Sequence, residues 1–259
     1  MKTLIAISIV LYSALAGANT VPSMAVLPVT LATEQTLPLD DAIQLTLLSN
    51  GADELAQNLA KWAGIEILQI ADNQLKMTLS EQVSYKGNAD ISLLKDSFVI
   101  DINEPSTKQF VAGFMQWVSQ PWQLTNIAGY VSQYIDKPSY IHGFNFASVV
   151  ATEKSGDCTE YATLTTALAR SLGLPARLVI GAVIMEEATD VSAFGHAWTE
   201  VFFNGEWKII DAAMTDATSV RLFYLPVSAL HNEGPGFGMG LMNIVSIMPE
   251  KIIDVKNAG

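Results

Sequence analysis

The 259-residue sequence predicts an α+β fold, and three features carry that prediction. Helical spacing of apolar residues recurs at Ala52–Ala63, Thr107–Val118, Leu124–Ile135 and from Cys158 to about Leu172. Alternating or β-branched runs lie around these segments at 65–70, 74–85, 97–102 and 176–185. Two more such runs, 196–203 and 206–210, are separated by Asn204-Gly205, the dipeptide of a tight antiparallel hairpin.

Composition removes whole classes of function. The chain carries 14 Lys and Arg against 26 Asp and Glu, a formal charge of −12. So few cations on an acidic chain argue against nucleic-acid binding, which requires clustered Lys and Arg to neutralise phosphates. Half of the residues are hydrophobic and 8% are aromatic, which excludes a disordered chain. The sole cysteine, Cys158, excludes a disulfide scaffold and a Cys-rich zinc module. The three histidines, His142, His196 and His231, show no metal-binding spacing, so no metal or other cofactor is expected.

The N-terminus is an address. Residues 1–18 combine Lys2, an apolar run from Leu4 to Ala16, and the small-x-small Ala16-Gly17-Ala18, the pattern of a cleaved signal peptide. The apolar run is shorter than the ~20 residues of a membrane-spanning helix, although an uncleaved anchor is the alternative. No later segment is long and apolar enough to span a bilayer. The expectation is an exported protein, periplasmic or secreted, without stable membrane insertion after cleavage.

Residues 19–38 read as a loose lead-in. The helix expected at Ala52–Ala63 has Leu55, Leu59 and Trp62 along one stripe and Gly64 as its stop. With the three strands that follow, it forms a small α+β module with no cluster of chemically useful residues. After Glu104-Pro105 the pattern turns helical, with a break at Pro121 and a loop at Lys137-Pro138 and Gly143. The organisation expected is a signal peptide at 1–18, an N-terminal module at 19–104 and a second domain at 105–259.

In that second domain Asp157 and Glu160 have the spacing of a capping box, so a helix should open at Cys158. Its buried stripe would be Ala162, Thr165, Leu168, Ala169 and Leu172, with Gly173 and Pro175 ending it. The helix dipole and the unpaired first-turn N–H groups favour a thiolate at Cys158. Gly156 leaves room near the sulfur for another chain. A buried, inert cysteine is the alternative on placement alone.

The Asn204-Gly205 turn sets Phe203 opposite Glu206 and so Trp198 opposite Asp211. His196, two residues from Trp198, points to the same sheet face. His196 and Asp211 thus become diagonal neighbours with Cα atoms about 7–8 Å apart, within side-chain reach. Each of the three residues has an ordinary structural explanation singly; all three together describe a nucleophile, a base and a carboxylate that orients the base. Trp198 reads as core.

These residues resemble the transglutaminase-like superfamily, relatives of papain-type thiol enzymes. The resemblance rests on Gly-Asp-Cys-Thr-Glu and Leu-Gly-Leu-Pro-Ala-Arg within Gly156–Arg177, Gly-His-Ala-Trp-Thr-Glu-Val at Gly195–Val201, and Trp-x-x-x-Asp at Trp207–Asp211. The likeness covers roughly residues 105–230 and extends in bacterial exported members to the stretch from Phe98 to Pro105 and the tail around Leu222–Leu230. It implies a papain-like core, with the cysteine helix packed on an antiparallel sheet. It also implies Cys158 as nucleophile, His196 as general base and acid, and Asp211 as its orienting partner. Two departures stand out: Asp211-Ala212-Ala213 where the family often has Asp-Pro-Thr or Asp-Ala-Thr, and Tyr161 where many members have histidine.

The chemistry implied is cleavage or exchange of amide bonds in a protein or peptide substrate through a Cys158 thioester, with hydrolysis preferred slightly over cross-linking. The alternative is a catalytically silent fold serving as a binding or assembly factor. The Cys158 backbone N–H is the first oxyanion donor; Gln133, Asn145 and several tryptophans compete as the second. The oligomeric state is open. Gly234–Gly240 reads as a flap or plain loop, not a phosphate cradle, and Glu186, Glu187 and Asp190 as a solvated loop, to which the calcium dependence of some family members does not transfer. His142 and His231 read as surface or packing residues.

Overall fold

The computed structural model describes residues 25–139, 144–215, 217, 220–230 and 233–259. The expected signal peptide, His142 and His231 lie outside the described residues. In chain order the elements are β1 (Val29–Leu31), β2 (Ala42–Leu48), α1 (Ala52–Leu59), β3 (Trp62–Ala71), β4 (Gln74–Tyr85), a 3₁₀ turn (Ile91–Leu94), α2 (Pro105–Trp117), α3 (Leu124–Tyr134), β5 (Lys137–Pro138), α4 (Ala147–Glu153), β6 (Ser155–Gly156), α5 (Cys158–Ser171), β7 (Ala176–Glu186), β8 (Val191–Phe203), β9 (Glu206–Ile210), β10 (Arg221–Ala229), α6 (Phe237–Ile247) and β11 (Lys251–Asn257). Helices and mainly antiparallel sheets are segregated, an α+β architecture.

Two sheets organise the molecule. The first has the order β1-β11-β2-β4-β3, and the second the order β10-β7-β8-β9. The second is antiparallel throughout and carries the hairpin foreseen in the sequence: Phe203 pairs with Glu206 and Thr199 with Ile210. Asn204 and Gly205 turn it with φ of 52° and 87°, the left-handed pair that a type I′ turn requires. The first sheet holds a topological surprise. Its second strand is β11, which lies parallel to β1 and antiparallel to β2, so residues from beyond 250 complete the module that the sequence confined to 19–104.

One core runs between the sheets, joining Leu45, Leu47, Leu55, Leu75 and Met77 to Val179, Val183, Trp198 and Leu225. A second cluster packs α2, α3 and α5 together through Phe110, Phe114, Ile127, Val131, Leu164 and Leu168. Helix α5 sits where these cores meet. It is buried all round from Cys158 to Arg170, not along one stripe, because the sheet covers one side and α2, α3 and α4 the other.

Several local expectations are corrected. Helix α1 stops at Leu59 with its C-cap at Ala60, and Trp62 opens β3 instead of extending the helix stripe. Gly64 then occupies an irregularity in that strand at φ 83°. Residues 97–102 form bends, not a strand; Val99 and Ile100 are nonetheless buried as plugs. Most of the glycine-rich tract belongs to α6, whose Ile244 and Ile247 reach the core. Glu186 is not solvated: it is buried and its Oε1 accepts the Leu39 N–H at 2.7 Å.

Candidate active site

The N-terminus of α5 is built by its capping box. The Asp157 carboxylate accepts the Thr159 N–H at 3.0 Å, and Glu160 accepts the Asp157 N–H at 3.1 Å, satisfying two orphan donors of the first turn. Glu160 also takes the Thr159 hydroxyl and the Asn145 N–H. Burial, with the charge of Asp157 added, raises its pKa to about 7. A Cβ on residue 156 would stand 2.3 Å from the Glu160 Cβ, so it is Glu160 that uses the space left by Gly156, not an incoming chain.

Cys158 is the first residue of this helix, a free thiol with 1% of its surface exposed. Two threonines fix the helix against the sheet. The Thr199 hydroxyl donates to the Ala162 carbonyl at 2.9 Å and lies 2.9 Å from the Thr166 hydroxyl, which also bonds Ala162 O. Thr199 is three residues beyond His196 on β8, so the thiol-bearing helix and the imidazole-bearing strand are joined directly.

His196 and Asp211 meet as the register required. Nε2 lies 2.7 Å from Asp211 Oδ2, both side chains nearly fully buried. Burial acts to lower the pKa of His196, but the charge and hydrogen bond of Asp211, with a smaller pull from Cys158, outweigh it and raise it to about 10. With Nε2 committed to the carboxylate, Nδ1 is the ring nitrogen left for the thiol, whose influence on the ring is felt there. The imidazole stacks on Trp198 with centroids 6.1 Å apart. Trp198 is core, as expected, yet its indole N–H lacks a partner among the described residues.

Asp211 is held from four directions. Oδ1 accepts the backbone N–H groups of Ala213 and Met214 at 3.0 and 3.2 Å. Oδ2 accepts the Tyr224 hydroxyl at 2.9 Å beside His196 Nε2. The Asp-Ala-Ala departure therefore leaves the carboxylate anchored, because the bonds it accepts there are from main chain. Tyr161, the other departure, directs its hydroxyl to Ile135 O at 3.4 Å. Tyr224 was not singled out by sequence; a tyrosine in an apolar strand gives no signal of its own.

The Cys158 N–H, at the first helical position, makes no hydrogen bond among the described residues, leaving it open for an anionic oxygen. Of the other candidate donors, Gln133 is exposed on α3, and the Asn145 backbone N–H is committed to Glu160. No three His, Cys, Asp or Glu side chains converge on a metal-sized space among the described residues. A groove of about 870 Å³ runs between β4 and β9 and reaches Asp211 and Tyr224. It opens on the carboxylate side of the site; Cys158 does not line it.

A second framework supports β8. Arg177 on β7 pairs with Glu200 on β8, both buried, while Trp62 Nε1 donates to Glu200 Oε1 at 2.8 Å. The guanidinium lies over the rings of Tyr85 at 3.8 Å and Trp207 at 4.3 Å. This cage fastens β3 and β4 of the first sheet to the strand that carries His196.

Residues 103–212 match the sequence model of the transglutaminase-like superfamily. Among solved structures, a candidate cysteine protease from Cytophaga hutchinsonii is 16% identical, with 74% of this chain and 82% of that one covered and a TM-score of 0.39. The periplasmic domain of TgpA from Pseudomonas aeruginosa, bound to ethylmercury, is 13% identical over 79% and 87%, with a TM-score of 0.42. No curated protein matches the chain.

Proposed function

We propose that the chain, whose residues 103–212 match the sequence model of the transglutaminase-like superfamily, is a thiol enzyme that cleaves or exchanges amide bonds of proteins or peptides, hydrolysis being the favoured outcome. The observation that carries this reading is the joint placement of a helix-first thiol, an imidazole on which that thiol acts, and a carboxylate fixed 2.7 Å from Nε2.

In the proposed reaction Cys158 attacks as the thiolate, with His196 as imidazolium. The sulfur–carbon bond forms as the carbonyl π pair moves to oxygen, and the Cys158 N–H receives that charge. His196 gives its Nδ1 proton to the departing amine as the carbon–nitrogen bond breaks, leaving a thioester. Water then attacks, His196 takes its proton, and the thiol is released with the carboxylic acid. Asp211 holds the ring's orientation throughout. We further propose export, on the strength of the 1–18 segment; no described helix is long and apolar enough to cross a membrane.

The test is the rate of iodoacetamide alkylation of Cys158 from pH 4 to 9, in wild type and His196→Ala. Substantial labelling below about pH 6 that disappears in the variant is expected of a His-paired thiolate. A rate that rises only near a free thiol's pKa of about 8.5 and ignores the substitution removes the reading. Incubating a glutamine-containing protein with a fluorescent primary amine then separates the outcomes: new amino termini mean hydrolysis, covalent label means transamidation. A binding or assembly role draws on the burial of the thiol, and absence of labelling at every pH, even after limited proteolysis, is its signature.

A further inference from the structure

Asp211 Oδ2 is shared. It accepts from His196 Nε2 at 2.7 Å and from the Tyr224 hydroxyl at 2.9 Å, two donors from different strands converging on one oxygen. Tyr224 is 8% exposed on β10, and its ring meets Trp198 edge-on at 5.1 Å and lies 6.5 Å from the imidazole. Burial first, then the charge and hydrogen bond of Asp211, raise its pKa well above 10. The phenol therefore keeps its proton and acts on the carboxylate only as a donor.

We propose that Tyr224 is a positioning residue that works through Asp211, fixing the carboxylate against the imidazole and drawing off part of the negative charge that His196 would otherwise face alone. This rests on the reading of Cys158, His196 and Asp211 as the reacting group. Its chemical sense lies in the proton that His196 must surrender. An imidazolium facing an undivided carboxylate would hold that proton tighter still, further from the pKa near working pH that suits a catalytic acid. A second donor on the same oxygen weakens the carboxylate's pull on the ring. The backbone bonds on Oδ1 also draw charge from the carboxylate, but Tyr224 is the donor that shares the oxygen facing the ring.

Among the described residues, the groups facing His196 are few. Cys158 comes from α5, Asp211 follows β9 and Tyr224 comes from β10. Gly181 of β7, its register partner, brings no ionisable group, and Phe194 and Trp198 flank it along β8. Among the described residues, a change in its titration is therefore attributable to one of three side chains.

The experiment follows the histidine ring resonances of the full chain by NMR from pH 5 to 11, with His196→Ala identifying His196 among three histidines. The variants are Tyr224→Phe, Asp211→Asn and the two combined. Tyr224→Phe, which keeps the ring contacts, is expected to move the His196 midpoint upward by about half a pH unit or more. In the Asp211→Asn background the same substitution should move it by less than half as much. A midpoint that stays put, falls, or shifts equally in both backgrounds overturns the inference and leaves Tyr224 as packing. Should Asp211→Asn not fold, the sign of the single-variant shift decides. Iodoacetamide labelling that ignores His196→Ala would instead defeat the underlying reading, and the inference with it, whatever Tyr224→Phe does to the midpoint.

Discussion

Glu200→Ala tests whether the Arg177 cage supports the strand that carries the imidazole. In the folded chain Glu200 is 1% exposed and receives Arg177 Nε at 3.0 Å, a second bond from Arg177 Nη2, and Trp62 Nε1 at 2.8 Å. Truncating it leaves the guanidinium buried without its counter-ion, which costs about 3–5 kcal/mol. The Trp62 N–H is orphaned as well, a further ~1 kcal/mol at least. The rings of Tyr85 and Trp207 soften the loss but cannot replace a carboxylate. A deficit of about 4–6 kcal/mol corresponds to a melting midpoint lower by roughly 10–20 °C in a chain of this size. Differential scanning calorimetry reads it directly. Replacing both partners at once, Arg177→Met with Glu200→Leu, should recover much of the loss, since a fully apolar pair carries no stranded charge. A Glu200→Ala midpoint within about 3 °C of wild type, or a double variant as unstable as the single one, would refute the argument that this pair is buried and mutually dependent.

Three further outcomes are expected. The folded-state pKa of His196 is raised from 6.5 to about 10, so the stability it contributes is complete below pH 6.5 and is lost as pH rises through 10; urea unfolding between pH 6 and 10 should show a decline on the order of a few kcal/mol, flattened in Asp211→Asn. Gly181→Ala would place a methyl 2.0 Å from the Leu225 carbonyl oxygen and 2.9 Å from the Trp198 ring. Strands β7 and β10 must then part, and soluble yield and melting midpoint should fall sharply while Gly173→Ala, whose site is sterically open but at positive φ, costs about 1–2 kcal/mol. Residues 105–250 produced alone should show no cooperative melting transition by circular dichroism, because the first sheet that backs Arg177 and the inter-sheet core is missing; a cooperative transition would establish an independent second domain.

What the sequence disclosed and what it concealed divide along range. The hairpin register was legible because two residues with special dihedrals, Asn204 and Gly205, determine which residues face each other, and His196 and Asp211 follow from it. The opening of α5 was legible because a capping box is a four-residue pattern. The return of β11 was not, since nothing near residues 251–257 says which strands they will join. Residues 97–102 misled because alternation also arises when a bend tucks Val99 and Ile100 inward. Glycines lower the helical propensity of α6, and the burial of Ile244 and Ile247 overrides it. The Asp211 carboxylate could be found, but its second donor could not, because the pairing of β10 with β7 that delivers Tyr224 has no turn to fix it.

The placement of β11 has a consequence in time. A chain threaded out N-terminus first holds β1 and β2 ready while their common neighbour is still unmade. That sheet is completed only after the segments bearing Cys158, His196 and Asp211 have already emerged, and Ile252 and Val255 then join the core shared by the two sheets. Synthesis order thus makes the first sheet the last of the two to have all its strands present.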